Sequence, residues 1–352
     1  MENKLYEYKK LENKNRLSLM ILLFLLLIIF IFSLYTGLYY IDFIEIIKGI
    51  FGKSMDSNVN TIIYNMRLPR VLTATLGGLG LGITGCILQS ILANPLASAS
   101  TLGISQGASF GAAFAIIVLG AGVQGSNVDS MNFSNPLLIN ISAFIFSILI
   151  SFLILSLSKF KKINSKGIIL AGIALSSMFQ GATTLIQFFA DEVQLASVVF
   201  WTFGDLGRTS WKEVMIMALV IIPSILFFIL RSWDFNVLEN GDSISISLGV
   251  NISRVRVLSI LICSFTIAII VSYVGLINFI GLASPHIVRR FVGSNHRYLL
   301  PGSALTGAIL LLLSDLLARL ITSPIILPIG AITSFLGAPL FIYILFKEDS
   351  KI

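Results

Sequence analysis

Long apolar runs without charge constrain this chain more than any other feature of its sequence. No Asp, Glu, Lys or Arg occurs between Arg70 and Asp129. Of the 352 residues, 56% are hydrophobic and only 12% are charged. A water-soluble fold could not cover that much apolar surface, since large exposed apolar patches are rare in soluble proteins. The alternative is a chain whose solvent is lipid, in which a helix needs about 20 apolar residues to cross the hydrocarbon core.

Ten such runs predict an all-α polytopic membrane protein with ten transmembrane helices. Their approximate limits are 17–36, 68–90, 99–122, 136–158, 167–189, 213–231, 255–275, 277–292, 299–320 and 326–346. The first run is too long for a cleaved signal peptide, and no small-residue cleavage site follows it. The predicted organisation is a cytoplasmic N-terminal segment over 1–16, a ten-helix domain over 17–346 and a cytoplasmic tail over 347–352.

The distribution of Lys and Arg predicts the orientation of these helices. If both termini are cytoplasmic, 17 of the 24 Lys and Arg residues fall in inner segments, as the positive-inside rule requires. The acidic residues divide almost evenly between the two sides and do not drive this bias. The net charge of +7 therefore reports membrane orientation, and we do not expect nucleic-acid binding.

Two short motifs resemble nucleotide-binding turns but lack the rest of each pattern. Gly80, Gly82 and Gly85 spell G-x-G-x-x-G, yet no strand precedes them and no acidic residue follows about 20 positions later. The tripeptide at 52–54 reads Gly-Lys-Ser, but a P-loop needs another glycine where Ile47 stands. We therefore predict that this chain does not itself bind nucleotide.

Helix packing explains the glycine pattern better. At the helical period, glycines of the run 68–90 fall on one narrow stripe, and glycines of the run 99–122 recur every four residues. Small residues at this spacing let helix backbones approach closely, which drives helix association in lipid. The predicted packing residues are Gly78, Gly82, Gly85, Gly103, Gly107 and Gly111.

The predicted spans hold few groups that could bind a metal or couple transport to an ion. Cys86 and Cys263 both lie inside spans, and the two histidines are ten residues apart, so neither a disulfide framework nor a metal site is predicted. Asp315 lies four residues before Arg319, a spacing that favours a local helical ion pair. A role in ion coupling is the alternative for Asp315, because intramembrane acids often serve that purpose.

The longest inner connection contains an ambiguous pattern. Residues 243–248 alternate strictly between serine and an apolar residue, which by periodicity alone predicts a strand. A lone short strand would leave its backbone unpaired, so a solvated loop is the alternative.

Four ordered segments carry longer motifs. The first, over 66–111, reads MRLPRVLTATLGGLGLGITGCILQSILANPLASASTLGISQGASFG and contains R-x-P-R, a glycine-rich helix, Q-x-x-x-x-N-P-L-A and L-G-x-x-x-G-A. The others read FNVLENGDSISISLGVNISRVR, GLINFIGLASPHIVRRFVGSNHRYLLPGSALTGAILLLLSDLLAR and LPIGAITSFLGAPLFIYIL. Together they resemble the membrane permeases of binding-protein-dependent ABC importers for iron–siderophores, haem and cobalamin.

The resemblance implies a fold, partners and a cargo. Subunits of that family have ten spans and pair as a dimer around a central pathway in the bacterial cytoplasmic (inner) membrane. The implied protein is a permease without catalytic residues or cofactors, and its partners are cytoplasmic ATPase subunits, an extracytoplasmic substrate-binding protein and a second permease subunit, identical or related. Iron(III)–siderophore is the expected cargo, and haem and cobalamin are alternatives. An ion-coupled secondary transporter is the alternative of a different class, which the nearly charge-free spans disfavour.

The resemblance also implies roles for particular residues. The arginines that would meet acidic residues of the binding protein at the outer face are Arg67, Arg70 and Arg319. The turn that would form the cytoplasmic gate contains Asn94, Pro95 and Leu96. A coupling segment over 232–253 carries Glu239, Gly241, Asp242, Leu248 and Gly249. Its part over 239–250 is expected as a pair of short helices in a groove of the ATPase.

Four further residues complete the candidate set. Gln89 ends the first glycine stripe and faces either the pathway or a neighbouring helix, which makes it a pathway candidate. His286, Arg289 and His296 belong to the third segment near the inner face. We expect them to stabilise helix ends and turns, where cationic side chains can bind free carbonyl groups.

Overall fold

The structure, a computed structural model, describes residues 2–37, 39, 41–50, 56–122, 133–161 and 165–349. Within these residues the α-helices, in chain order, are α1 (Glu2–Tyr35), α2 (Phe43–Ile50), α3 (Ser57–Asn60), α4 (Leu68–Ile91), α5 (Ile104–Ala113), α6 (Pro136–Lys161), α7 (Ser165–Phe188), α8 (Glu192–Thr202), α9 (Trp211–Leu230), α10 (Ser232–Leu238), α11 (Asp242–Ser247), α12 (Ile252–Val274), α13 (Ile280–Val292), α14 (His296–Leu320) and α15 (Ile329–Asp349). A π-helical segment over Thr61–Arg67 joins α3 to α4, and another over Phe114–Val118 extends α5. The Gly-Lys-Ser tripeptide lies outside the described residues.

The predicted class of structure is confirmed for the part of the chain that the structure describes. Each of the ten apolar runs contains a helix, and no strand forms among the described residues. By length and composition, seven of these helices can cross a membrane, and Ile104–Val118 and Ile329–Tyr343 are shorter apolar helices. The count of ten spans stays a prediction.

Several predicted limits are wrong. The third helix begins at Ile104 instead of at 99, because Gly103 adopts a φ of +74°, a left-handed conformation that glycine tolerates and a helix does not continue. Phe279 has a φ of +64°, and α13 starts only after it, at Ile280. The helix α8, which the ten runs omit, has 11 residues. At the N-terminus, α1 begins at Glu2, so the described part of the 1–16 segment is continuous with the first span.

The helix α4 lies at the centre of the molecule and is buried along nearly its whole length. It packs against α14, α13, α12 and α9, while α5 packs against α6 and α7 in a second layer. These contacts place the ends of α4 at two opposite surfaces. Because a helix rises about 1.5 Å per residue, Arg70 and Ser90 lie about 30 Å apart along it.

The glycines predicted to pack helices lie close to neighbouring backbones, except that Gly103 precedes its helix. A Cβ atom on Gly78 would lie 2.5 Å from the Gly307 carbonyl oxygen of α14. One on Gly82 would overlap the Ser303 carbonyl oxygen, and one on Gly85 would overlap the Gly281 carbonyl oxygen of α13. The glycines of α4 therefore allow backbone-to-backbone contact with two neighbouring helices.

The glycines of the second stripe make equivalent contacts with α6. A Cβ on Gly107 would lie 2.6 Å from the Phe146 carbonyl oxygen, and one on Gly111 would overlap the Ser142 carbonyl oxygen. Gly103 differs because it precedes α5. It is needed there for its positive φ, and a Cβ would lie 2.8 Å from Ser176 Oγ.

Candidate functional site

The predicted coupling segment contains two short helices, but only α11 lies within 239–250, where the pair was expected, and α10 precedes that range. α10 and α11 are joined by a turn at Gly241, which has a φ of +95°. The alternation over 243–248 does not give a strand: most of it forms α11, and Ser245 Oγ lies 3.0 and 2.8 Å from the Val237 and Gly241 carbonyl oxygens. The apolar side chains of this segment that are more than half exposed are Trp233, Ile244, Ile246 and Leu248.

The predicted gate turn directly follows α4. Asn94 Oδ1 accepts a hydrogen bond from the Leu96 backbone N–H at 2.8 Å, and the Asn94 carbonyl accepts one from Ala97 at 3.1 Å. These local bonds tighten the turn around Pro95 and leave Leu96 46% exposed. The turn therefore presents an apolar side chain at the surface where α4 ends.

Two residues of α13 bind this turn and the helix end before it. His286 Nε2 lies 3.0 Å from the Pro95 carbonyl oxygen, to which it donates. Arg289 Nη1 donates to Gln89 Oε1 at 2.8 Å, and Gln89 Nε2 donates to the Leu282 carbonyl at 3.4 Å. Of the two orientations considered for Gln89, the structure shows the one toward a neighbouring helix, with 3% of the residue exposed.

His296, the first residue of α14, is fully buried and has partners on two other helices. Its Nε2 lies 2.5 Å from Ser90 Oγ in the last turn of α4. Its Nδ1 and its backbone N–H lie 3.1 and 2.7 Å from Asn236 Oδ1 of α10. His296 lies at a helix end, as expected, but its ring binds side-chain groups of α4 and α10 instead of free carbonyls, and so bridges these two helices.

A second bridge links the coupling segment to the end of α4. Arg256 of α12 donates through Nη2 to Asp242 Oδ1 at 2.9 Å and through Nε to the Ile91 carbonyl at 3.1 Å. None of Ser90, Asn236 and Arg256 is among the predicted functional residues. A signal for Asn236 exists, because it is a lone amide among the apolar residues of FNVL.

At the opposite end of α4, two of the predicted docking arginines bind the C-terminal end of α1. Arg67 is 8% exposed and donates to the carbonyls of Leu34, Tyr35 and Tyr39, at 3.0, 3.1 and 2.5 Å. Arg319 donates to the Thr36 carbonyl and to Ser33 Oγ, both at 2.7 Å. Cationic groups at a helix C-terminus satisfy carbonyls that have no partner within the helix.

The third docking candidate, Arg70, shares a buried carboxylate with Arg319. Asp315 is 0% exposed; its Oδ1 lies 2.8 Å from Arg70 Nε, and its Oδ2 lies 2.9 Å from Arg319 Nη2. The local pair predicted between Asp315 and Arg319 is confirmed. The cross-helix pair with Arg70 was not predicted, because nothing in the local sequence indicates it.

These arginines line a cavity of about 580 Å³ together with Arg208 and Asp205. We call it the outer cavity, after the side of the membrane predicted for these arginines. Burial lowers the pKa of Arg208, and the nearby Asp205 carboxylate opposes this shift. Arg208 Nη2 donates to the Phe200 carbonyl at 2.7 Å. The outer cavity is therefore rich in cationic groups that are held by bonds within the chain.

One side of α7 exposes polar residues although the helix is apolar enough to cross a membrane. Ser177, Gln180 and Thr184 are exposed and recur at the helical period, on a side that also exposes Leu170, Ile173 and Phe188. A Cβ placed on Gly181 would meet no heavy atom of a neighbouring element within 4 Å. The Ser177 and Thr184 hydroxyls are satisfied by carbonyls of their own helix. Exposed amides are costly against hydrocarbon, so this polar face of α7 favours contact with water or protein over contact with lipid.

The fold and these contacts define a polytopic helical membrane protein with a paired-helix segment at one surface and a cationic cavity at the other. Residues 25–347 match the FecCD transport family. The chain therefore belongs to this family of ABC importer permeases.

Similar proteins cover most of the chain. An ABC transporter permease protein of Methanocaldococcus jannaschii is 45% identical and covers 91% of each chain. The hemin transport system permease protein of Yersinia pestis is 35% identical over 82% of this chain and 84% of its own length. A solved inward-facing structure of a metal-chelate type ABC transporter is similar with a TM-score of 0.81 and 31% identity, covering 94% of this chain and 98% of that one.

Proposed function

We propose that this chain is the membrane-spanning permease subunit of an ATP-driven importer of iron(III)–siderophore. It would cross the cell membrane ten times, with both termini in the cytoplasm. The observation that carries the proposal is the family match over residues 25–347. The solved metal-chelate transporter that aligns with 94% of this chain supports a chelated metal as cargo.

ATP hydrolysis would take place in separate cytoplasmic subunits that bind the coupling segment. The exposed apolar side chains of this segment, which include Ile246 at 67% and Leu248 at 56% exposure, support a protein partner. Glu239, Gly241, Asp242 and Gly249 would shape or flank that contact. The bonds from Asp242 and Asn236 toward the end of α4 support transmission of movement from the ATPase to the gate turn at Asn94, Pro95 and Leu96.

The substrate-binding protein would dock at the opposite surface, around the outer cavity. Arg67, Arg70 and Arg319 line it, and their bonds to α1 and Asp315 would hold the cationic rim in one shape. Acidic residues of a carrier protein would then meet a preorganised surface, which speeds encounter and fixes orientation more than it adds affinity.

The pathway would form between two permease subunits, identical or related. The polar face of α7 supports this arrangement because it requires cover by water or by protein. A weakly polar, uncharged wall suits a bulky chelate, since a strongly binding wall would retain the cargo. Gln89, which is buried against α13, would act next to this pathway by supporting the gate.

Reconstitution in proteoliposomes tests the function. The permease assembled with its ATPase and supplied with the loaded binding protein should accumulate ferric chelate when ATP is inside. The same permease alone should accumulate nothing under a sodium or pH gradient. Accumulation by the lone permease would instead support an ion-coupled secondary transporter.

Titration of the purified binding protein with ferric hydroxamate, hemin and cobalamin tests the cargo. Tightest binding of the ferric hydroxamate is expected. Tighter binding of hemin or cobalamin would move the proposed cargo to that ligand and leave the transport mechanism unchanged.

A further inference from the structure

The residues of the third sequence motif, taken singly, are stabilisers of helix ends and turns. In the structure they act together on one short stretch of chain. His286 and Arg289 of α13 and His296 of α14 bind Pro95, Gln89 and Ser90, respectively. We call residues 286–296 the α13–α14 corner. It holds the end of α4 and the gate turn at three separate points.

The same corner is bound to the coupling segment on its other side. Asn236 of α10 accepts from the ring and the backbone of His296, and its Nδ2 donates to Asn295 Oδ1 at 3.2 Å. The Phe235 ring lies beside the His296 ring, with centroids 5.9 Å apart. The corner therefore lies between α10 and the gate turn, and it contacts both.

The protons of this bridge can be assigned from its acceptors. An amide oxygen only accepts, so Nδ1 of His296 carries a proton toward Asn236 Oδ1. In the neutral ring Nε2 is then an acceptor, and the Ser90 hydroxyl donates its one proton to it, while the Cys86 carbonyl oxygen lies farther from the same hydroxyl, at 3.1 Å. Both ring nitrogens are thus satisfied by different helices, within a residue that is 0% exposed.

Burial makes this bridge resistant to separation. A buried donor or acceptor that loses its partner has no water to replace it, and each such loss is costly. A displacement of α10 is therefore less costly if the corner moves with it than if the His296 bonds break. Because the corner is also bound to Gln89 and Pro95, its displacement shifts the gate turn.

We propose that the α13–α14 corner is the lever that transmits movement of the coupling segment to the gate turn, with His296 as its central positioning residue. This inference rests on the proposed function. It assigns to His296, Asn236 and Ser90 a mechanical role in coupling, in addition to their contribution to stability.

Chemical accessibility of the gate turn tests the lever. Leu96→Cys places a thiol at the exposed position of the turn, and the native Cys86 and Cys263 are fully buried. In the full permease–ATPase complex, the rate of alkylation by a membrane-impermeant maleimide is measured with and without a non-hydrolysable ATP analogue. The parent Leu96→Cys complex should show a nucleotide-dependent change of at least about fivefold, the lower end of typical coupling between sites.

Two variants interrupt the lever, and one controls for the loss of a buried group. Ser90→Ala removes the contact between His296 and α4, together with the Ser90 contact to the Cys86 carbonyl of its own helix. His296→Phe removes both ring contacts but keeps an aromatic ring beside Phe235. Ser284→Ala is the matched control, because Ser284 is fully buried in α13 and its hydroxyl bonds only to Ile280 of its own helix. ATP hydrolysis and thermal stability are measured for every complex.

Ser90→Ala and His296→Phe should lose the nucleotide-dependent change in alkylation while ATP hydrolysis continues, and Ser284→Ala should keep it. If the His296→Phe complex does not assemble, the nucleotide response of the Ser90→Ala complex is the test of the lever. A full nucleotide response in Ser90→Ala would overturn the lever and leave the proposed function intact. A parent complex without any nucleotide response would instead contradict the proposed function.

Discussion

At the residue scale, the arginines at the outer cavity make most of their hydrogen bonds within the chain itself. Arg67 and Arg319 bind carbonyls and a hydroxyl at the end of α1. The planar guanidinium suits this task, since it presents several donors in a fixed geometry. A docking role, which stays a proposal, would therefore use arginines that are already immobilised by their own chain.

Asp315 is the residue on which this arrangement depends, and its charge can be removed with little change in shape. Asp315→Asn leaves Arg70 and Arg319 facing each other without a counter-charge in a buried site. We expect a loss of about 3–5 kcal/mol in the free energy of unfolding, the usual cost of breaking a buried ion pair. SDS titration of the protein in mixed micelles measures this free energy.

The control for this variant is an ion pair at the rim of the outer cavity. Asp205 lies 3.9 Å from Arg208 and its side chain is 41% exposed. Asp205→Asn should change the free energy of unfolding by no more than about 1 kcal/mol, because exposed pairs contribute little. Equal losses of unfolding free energy in the two variants would show that the Asp315 ion pairs contribute no more to stability than an exposed ion pair.

At the element scale, the packing of α4 depends on the absence of side chains at its glycines. Neighbouring backbones of α13 and α14 occupy the positions where Cβ atoms would stand on Gly78, Gly82 and Gly85. Close contact of this kind increases van der Waals packing in lipid, where no hydrophobic force brings helices together. The position of α4 at the centre therefore follows from its stripe of small residues.

A single added methyl group tests this packing. Gly85→Ala would push a Cβ into the Gly281 carbonyl oxygen, and we expect a loss of roughly 1–3 kcal/mol in the free energy of unfolding from overpacking. Gly181→Ala in α7 is the matched control, because the new Cβ would meet no heavy atom of a neighbouring element within 4 Å. The control should be neutral or gain up to about 1 kcal/mol from the helix propensity of alanine. A neutral Gly85→Ala would contradict the close contact between α4 and α13.

At the scale of the whole molecule, the polar residues exposed on α7 support the proposed pairing of two permease subunits. An amide such as Gln180 is poorly placed against hydrocarbon, whereas Met178, 55% exposed on the other exposed side of the helix, is suited to lipid. The two positions differ by only two residues, so they lie at nearly the same depth. The difference in polarity between Met178 and Gln180 therefore indicates that the two sides of α7 face different surroundings.

Cysteine labelling compares these two sides directly. In the assembled transporter, Gln180→Cys should react with a membrane-impermeant maleimide at least about tenfold faster than Met178→Cys, since charged reagents are excluded from lipid. The measurement is the labelled fraction over time in intact proteoliposomes. Equal and slow labelling of both cysteines would place the α7 polar face against protein or lipid instead of a water-filled pathway.

The sequence by itself determined the features that depend on local pattern. The charge-free runs predicted a helical membrane protein, and the spacing of small residues identified the packing face of α4. The i,i+4 spacing predicted the pair between Asp315 and Arg319, and the position of Asn94 and Pro95 after a helix predicted a turn there. Each of these depends on residues within a few positions of one another, whose geometry is set by the helical repeat.

Only the tertiary structure decided which distant groups meet. Arg70 and Asp315 are 245 positions apart, and Ser90 and His296 are 206 apart. No periodicity links such residues, and their pairing results from the packing of α4 against α14. The tertiary structure also decided where helices begin near Gly103 and Phe279, because the apolar runs continue through these residues although the backbone turns there. A membrane chain specifies its helices through local hydrophobicity, whereas its buried polar bonds are specified by the way those helices pack.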